Sequence, residues 1–299
     1  MKISGFTMVR NAEKYYFPIK ESIASLLPIV DEFIVALGDS SDNTRKIIES
    51  LNSPKVKIFD RVWSESSFVE GKIFAEETTF ALQQCTGDWC FYIQADEVIH
   101  EKDLPIIQAA CNEFLPQKNI DGLLFNYYHF WGDYNHYLPF HGWYRNEIRI
   151  VRNNAEIVSY KDAQSFRKTN GEKLRVKAIE AHIYHYGWVR PPEVMQSKKK
   201  EQDSVYHGIE GSAAMHAKRL ANFNFGNMNK IPIFKNSHPK VMQEFMQKFY
   251  WKNELDNPST LLNRPKMKHE KLKYRFISFL ENTFLNGRGI FGYSNWIKI

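Results

Sequence analysis

Short apolar blocks recur over the first 110 positions, and the stretches between them carry apolar residues at helical spacing. ISGFTMV, EFIVALGD, KVKIFDRVW and DWCFYIQAD read as strands. Residues 12–28, TRKIIESLN, residues 69–84 and LPIIQAACNEFL read as helices. This alternation predicts right-handed crossovers and a mainly parallel α/β sheet covered by helices on both faces. Such sheets bind ligands outside the carboxyl ends of their strands. Two polar turns, GDSSDNT and QADEV, fall on that edge.

From about residue 120 the pattern changes. IDGLLFNYYHFWGDY, EIRIVRN and KAIEAHIYHYGWVR read as longer strands with no helix between them, which predicts an antiparallel addition. From Pro191 onward the chain is basic and mainly helical. One helix is expected after an N-cap at Ser237, with Val241, Phe245 and Phe249 on one face. Another spans LKYRFISFLENTFLNG, with Leu272, Phe276, Phe279 and Leu280 on one face and its end near Gly287. The expected division is an α/β domain over 1–190, with halves 1–110 and 111–190, and a helical extension over 191–299.

Composition narrows the partners. The 299 residues, 43% of them hydrophobic, suffice for one large core. A net charge of +6 suits an anionic partner: a phosphorylated small molecule, a membrane surface or a nucleic acid. No zinc-finger spacing or RNA-binding aromatic signature is present, so no nucleic acid is expected. Three cysteines, Cys85, Cys90 and Cys111, lack metal-site spacing and suggest reduced thiols in a cytosol. The N-terminal residues lack a long apolar run, and nothing approaches 18 consecutive apolar residues. A cytoplasmic location is expected, with peripheral contact at the inner face of the cell membrane left open.

The polar turns carry the candidate chemistry. Asp39 ends a strand, where a carboxylate can accept hydrogen bonds from a ribose or a uracil-type imide; Asp42 or Thr44 can instead cap the next helix. In FYIQADEVIH, Gln94 and Asp96 stand at alternate positions beyond a strand, which suits a hard divalent cation holding a diphosphate. The alternative is a solvated strand end with Glu97 exposed. In HIYHYGWVR, alternation places His182, Tyr184 and Tyr186 on one face and His185 on the other. Arg190 and Lys198 to Lys200 could neutralise phosphate, or the lysine run could be a solvated helix face. The aromatic run 126–145 could stack on sugar rings, form a lid or make a dimer contact. Lys266, Lys268, Lys271, Lys273 and Arg275, with Phe276 and Phe279, could rest on anionic lipid or pack against the α/β domain.

Together, the Asp39–Asp42 turn, VRN at 9–11 and TGDWCFYIQADEVI at 86–99 resemble the family 2 glycosyltransferases with the GT-A fold, over most of residues 1–110. The resemblance implies a sugar moved from a UDP- or GDP-type donor to a hydroxyl of a glycan or lipid-linked acceptor, with inversion, as in bacterial polysaccharide or lipopolysaccharide synthesis. It places Thr7, Arg10, Asn11, Asp39, Asp42, Lys72, Gln94 and Ala95 around the nucleotide sugar. It assigns Mg2+ or Mn2+ to Asp96 and His185, with His182 second. Gln94 departs from the pattern, because the family usually has an aspartate there. Inversion needs a carboxylate base opposite the leaving diphosphate; Asp162 takes that role, with Glu147 as its competitor. A nucleotidyltransferase is disfavoured by the absence of glycine in TMVRNAEKYY. A binding protein that kept the fold and lost the metal site stays open through Gln94, and a homo-oligomer also stays open.

Overall fold

The structure is a computed structural model that describes residues 1–216, 221–255, 264–285, 289–290 and 294–299. Its first half runs β1 (Ile3–Val9), α1 (Ile19–Leu26), β2 (Glu32–Leu37), α2 (Thr44–Glu49), β3 (Val56–Asp60), α3 (Lys72–Gln83), β4 (Trp89–Tyr92), β5 (Glu97–Ile99) and α4 (Leu104–Phe114). There follow β6 (Gly122–Trp131), β7 (Asn146–Arg152), β8 (Ile157–Tyr160), β9 (Ser165–Lys168) and β10 (Leu174–Trp188). The remainder is α5 (Pro192–His216), α6 (Gln243–Met246), α7 (Lys252–Leu255), α8 (Leu272–Phe284) and β11 (Trp296–Lys298).

The main sheet has the order β11-β10-β6-β7-β4-β1-β2-β3, with β5 paired to β10. β1 to β4 form the expected parallel unit, and β7 enters antiparallel between β4 and β6. The antiparallel expectation for the long strands holds for β6 and β7 but not for β10. That strand lies parallel to β6, because β7 ends beside Gly122 and the β8–β9 hairpin brings the chain back to that same end of the sheet before β10 starts there. The near-continuous burial of β1, β2 and β4 follows from cover on both faces. Ile19, Ile23 and Leu26 of α1 and Ile107 of α4 belong to the core on one face, while Ala81 and Leu82 of α3 and Phe166 of β9 fill the other.

Two expected helices differ in extent. The helix expected over 12–28 is helical only from Ile19. Asn11 and Tyr16 adopt left-handed backbone angles, and Pro18 disfavours helical geometry at Phe17. The helix expected after Ser237 is a short helical turn followed by α6; Ser237 instead holds His100 Nε2 at 2.9 Å. The C-terminal region is mainly helical, as expected, and adds a strand. Its β11 pairs with Leu174–Val176 of β10, stitching the tail back onto the sheet. α8 forms as expected, but Gly287, near its predicted end, lies outside the described residues.

Most of the 126–145 aromatic run is core, not a binding surface. Phe130, Trp131 and Tyr134 are buried among Phe223, Phe225 and Trp251 of the C-terminal region.

Candidate functional site

A cavity of about 460 Å³ opens where β1, β3 and β4 end, the edge on which such sheets bind ligands. Arg10 follows β1, Trp63 lies beyond β3, and Gln94, Ala95 and Asp96 follow β4; all five line it. Asp162, from the β8–β9 turn, and His185, Gly187 and Trp188 from the end of β10 also face it. The first turns of α5 add Lys198 and Lys199.

Asp96 is 6% exposed, with two cations and an imidazole around its carboxylate. Its Oδ2 lies 3.3 Å from Lys198 Nζ and 3.7 Å from Arg190 Nη2, and its Oδ1 lies 3.8 Å from His185 Nε2. Burial works to raise its pKa, but Lys198, His185 and Arg190 together bring it down to about 2, so the carboxylate is ionised. Burial lowers Lys198 to about 8, with Arg190 adding to the effect and Asp96 opposing it.

The orientation of His185 follows from its neighbours. His129 Nε2 sits 2.7 Å from the carbonyl of Tyr144, an atom that only accepts, so this nitrogen carries the hydrogen. Burial, reinforced by His185, lowers the pKa of His129 to about 3; the ring is neutral and its Nδ1 is a bare acceptor. His185 Nδ1, 2.9 Å away, must therefore donate to it. The remaining nitrogen of His185, Nε2, is left with a lone pair beside Asp96. A Cβ on Gly187 would lie 2.4 Å from that Nε2 and 2.9 Å from Asp96 Oδ2, so glycine keeps this space open.

These two residues fit a divalent cation as an imidazole–carboxylate pair. Among the described residues no cluster of three or more His, Cys, Asp or Glu side chains gathers, so an ion would need further oxygens from other groups, such as Gln94, a diphosphate or water.

Glu97 is fully buried, not solvated. It forms a fork with Arg149 (Nε–Oε2 and Nη2–Oε1, both 2.9 Å), accepts from Tyr127 at 2.8 Å and receives the Gln94 amide at 3.1 Å. Glu97 thereby ties the turn that carries Asp96 to β6 and β7. A further bond, from the Tyr186 amide to the Asp96 carbonyl at 2.8 Å, fixes the same turn to β10.

The residues expected to hold a nucleotide divide. Arg10 pairs with Asp39 at 3.2 Å and with Glu201 at 3.2 Å, and its guanidinium lies over the Trp63 ring. Asp39 does not itself line the cavity; it holds two residues that do, pairing with Arg10 and accepting the Trp63 amide at 3.2 Å. Thr7 is buried within β1, off the cavity. Asn11 is also off it, its Oδ1 accepting the Ser41 amide at 2.8 Å. Asp42 takes the Thr44 amide at 3.0 Å and the Lys14 amide at 2.8 Å, so it builds the turn before α2. Lys72 is exposed and pairs with Glu76.

Of the two candidate bases, Asp162 faces the cavity and accepts from the Tyr206 hydroxyl. Glu147 does not line it; burial raises its pKa to about 8, and its Oε2 lacks a hydrogen-bond partner. His182 points to the other face of β10 and stacks on Tyr128. The cavity also contains Tyr15, Trp143 and Tyr206, which the sequence did not single out individually. The indole nitrogens of Trp63 and Trp143 and two guanidinium nitrogens of Arg190 are buried without a hydrogen-bond partner.

The sequence model described as Glycosyl transferase family 2 matches residues 9–166. An uncharacterized glycosyltransferase of Rickettsia felis is 32% identical over 115 residues, 38% of this chain and 36% of the relative. The chain thus aligns with about a third of that curated relative's length. Among solved structures, S. aureus TarS 1-349 in complex with UDP-GlcNAc aligns with 73% of this chain and 74% of its own at 15% identity and a TM-score of 0.41. Glucosyl-3-phosphoglycerate synthase from Mycobacterium tuberculosis, in complex with Mn2+, UDP and phosphoglyceric acid, aligns over 43% of each chain at 19% identity and a TM-score of 0.29.

Proposed function

The chain belongs to glycosyl transferase family 2, and from that premise we propose that it transfers a sugar from a nucleotide diphosphate donor to an acceptor hydroxyl with inversion. The observation that carries this reading is the facing pair of Asp96 and His185 Nε2, with Gly187 open beside them and Lys198 and Arg190 at hand.

In this reading the nucleoside lies toward Arg10, Asp39 and Trp63. The diphosphate lies over Asp96, His185 and Lys198. Asp96 and His185 would hold Mg2+ or Mn2+, which when bound supplies positive charge against the diphosphate. Gln94 adds no charge, and the protein's own cations compensate. Lys198 and Arg190 stabilise the negative charge that develops on the leaving group. Asp162 takes the proton of the acceptor hydroxyl as its oxygen bonds to the anomeric carbon and the bond to the diphosphate breaks. Trp143 and Trp188 offer aromatic faces to the acceptor, a glycan or a lipid-linked sugar.

Thermal unfolding with UDP, GDP, CDP and their sugars, each with and without Mn2+, tests the reading. The expected result is metal-dependent stabilisation by one nucleotide class, lost in Asp96→Ala. No stabilisation by any nucleotide under either condition would overturn it.

A further inference from the structure

α8 is an amphipathic helix turned inside out. Its polar residues Ser278 and Glu281 are 2% and 0% exposed. Its large apolar residues Leu272, Phe276, Phe279 and Phe284 are 85%, 64%, 58% and 69% exposed. Leu272, Phe276 and Phe279 follow one another at i, i+4 and i+7, so they form one stripe.

The orientation is held by hydrogen bonds. Glu281 accepts from His141 Nδ1 at 2.7 Å, Arg145 Nη2 at 3.0 Å and the Ile290 amide at 2.7 Å. Ser278 Oγ accepts the His141 amide at 2.7 Å. Rotating the phenylalanines inward would break these bonds and leave His141, Arg145 and the Ile290 amide without the acceptors that hold them. The apolar stripe therefore faces outward as a built feature.

The charge around the stripe narrows what it meets. Lys266, Lys268, Lys271 and Lys273 are exposed along and just before the helix. The two carboxylates of the described stretch 264–285 are both engaged, Glu270 by Arg264 and Glu281 by Arg145. A second copy packing this helix in parallel about a two-fold axis would set lysine against lysine, and in an antiparallel pair the lysines would meet no free carboxylate of the described stretch. A surface that takes phenylalanine between apolar chains and answers lysine with phosphate suits it instead.

We propose that α8 docks this chain on an anionic phospholipid bilayer, with Leu272, Phe276, Phe279 and Phe284 entering the acyl boundary and Lys271 and Lys273 meeting headgroup phosphates. The polar face of the helix clamps the loop 139–145, whose Trp143 and Tyr144 line the cavity, so the bilayer lies one helix away from the cavity wall. Docking is independent of the donor reading and would stand if that reading fell.

Co-sedimentation of the full chain with vesicles of phosphatidylcholine, with and without phosphatidylglycerol, tests the proposal. The expected result is binding that requires phosphatidylglycerol, weakens with added salt, and falls by about tenfold or more in F276S/F279S and in K271E/K273E. Both pairs are exposed, so thermal midpoints close to the wild type would show that these variants fold. Equal pelleting with neutral vesicles, or none with either, would overturn it. So would a concentration-dependent dimer in sedimentation equilibrium that F276S/F279S abolishes, since that would give the stripe to a second copy.

Discussion

His129 and His185 meet nitrogen to nitrogen, Nδ1 to Nδ1 at 2.9 Å, and the Tyr144 carbonyl behind His129 decides which of them donates. A backbone atom two steps away thereby sets the lone pair that faces Asp96. Replacing His129 by phenylalanine keeps a ring in the space and removes the acceptor, freeing His185 to change tautomer. Mn2+ affinity should fall by about 10- to 100-fold, read as the half-saturating Mn2+ for nucleotide-dependent thermal stabilisation. An unchanged half-saturation would show that His129 does not orient His185.

Gly187 supports a sharper steric test. In Gly187→Ala the new methyl would lie 2.4 Å from His185 Nε2, and the ring cannot back away without breaking its bond to His129. Metal-dependent stabilisation should be lost, while the thermal midpoint without ligand shifts by only a few degrees. A variant that still responds to Mn2+ like the wild type would remove the ion from this position.

Asp162 should separate binding from chemistry. Asp162→Asn keeps the shape and can still pair with Tyr206, but it cannot accept the acceptor's proton. Turnover is expected to fall by about 10²- to 10⁴-fold with nucleotide stabilisation retained. Turnover within a few-fold of wild type would move the base elsewhere.

Much of this site was legible because strand alternation and turn position are local properties. Asp96 and His185 stand at strand ends, and the pattern of apolar residues locates strand ends well. What stayed hidden are choices that only the fold makes. Asp39 and Asp42 look equivalent in a polar turn, yet Asp42 is taken by amides that build the turn while Asp39 holds Arg10 and Trp63, which line the cavity. Glu97 reads as a solvated end because its partner, Arg149, is 52 positions away on β7. The periodicity of α8 reveals two faces but not which one is buried; Glu281 and its donors, His141 and Arg145, settle that. Hydrophobicity alone predicts the opposite.

The Glu97–Arg149 pair predicts an asymmetry between breaking and deleting. Arg149→Met leaves a fully buried carboxylate without its cation and should cost about 3–5 kcal/mol in urea unfolding. E97Q/R149M removes that charge as well, and should be more stable than Arg149→Met alone despite carrying one more change. If the double variant is the weaker, the bonds from Tyr127 and the Gln94 backbone amide suffice to hold the Glu97 carboxylate without its cation.

Glu32, far from the cavity, should make stability depend on pH. Its carboxylate is 6% exposed and binds Ser4 Oγ at 2.7 Å, the Thr86 amide at 2.8 Å, Thr86 Oγ1 at 2.7 Å and Lys57 Nζ at 2.6 Å. Burial works to raise its pKa, but Lys57, Ser4 and Thr86 win and bring it from 4.5 to about 2. A depressed folded-state pKa means that the contribution is complete above about pH 4.5 and is lost as pH falls toward 2. Half of the Lys57 side chain is in solvent, which weakens that part of the pull. Glu32→Gln should therefore cost about 2–3 kcal/mol near pH 7. The same substitution should cost clearly less at pH 3.5, where the wild-type carboxylate has begun to lose its advantage over the unfolded chain. Urea unfolding of both proteins at pH 7, 5 and 3.5 measures the difference. A cost that does not change with pH would mean that Glu32 acts through shape and neutral hydrogen bonds rather than through its charge.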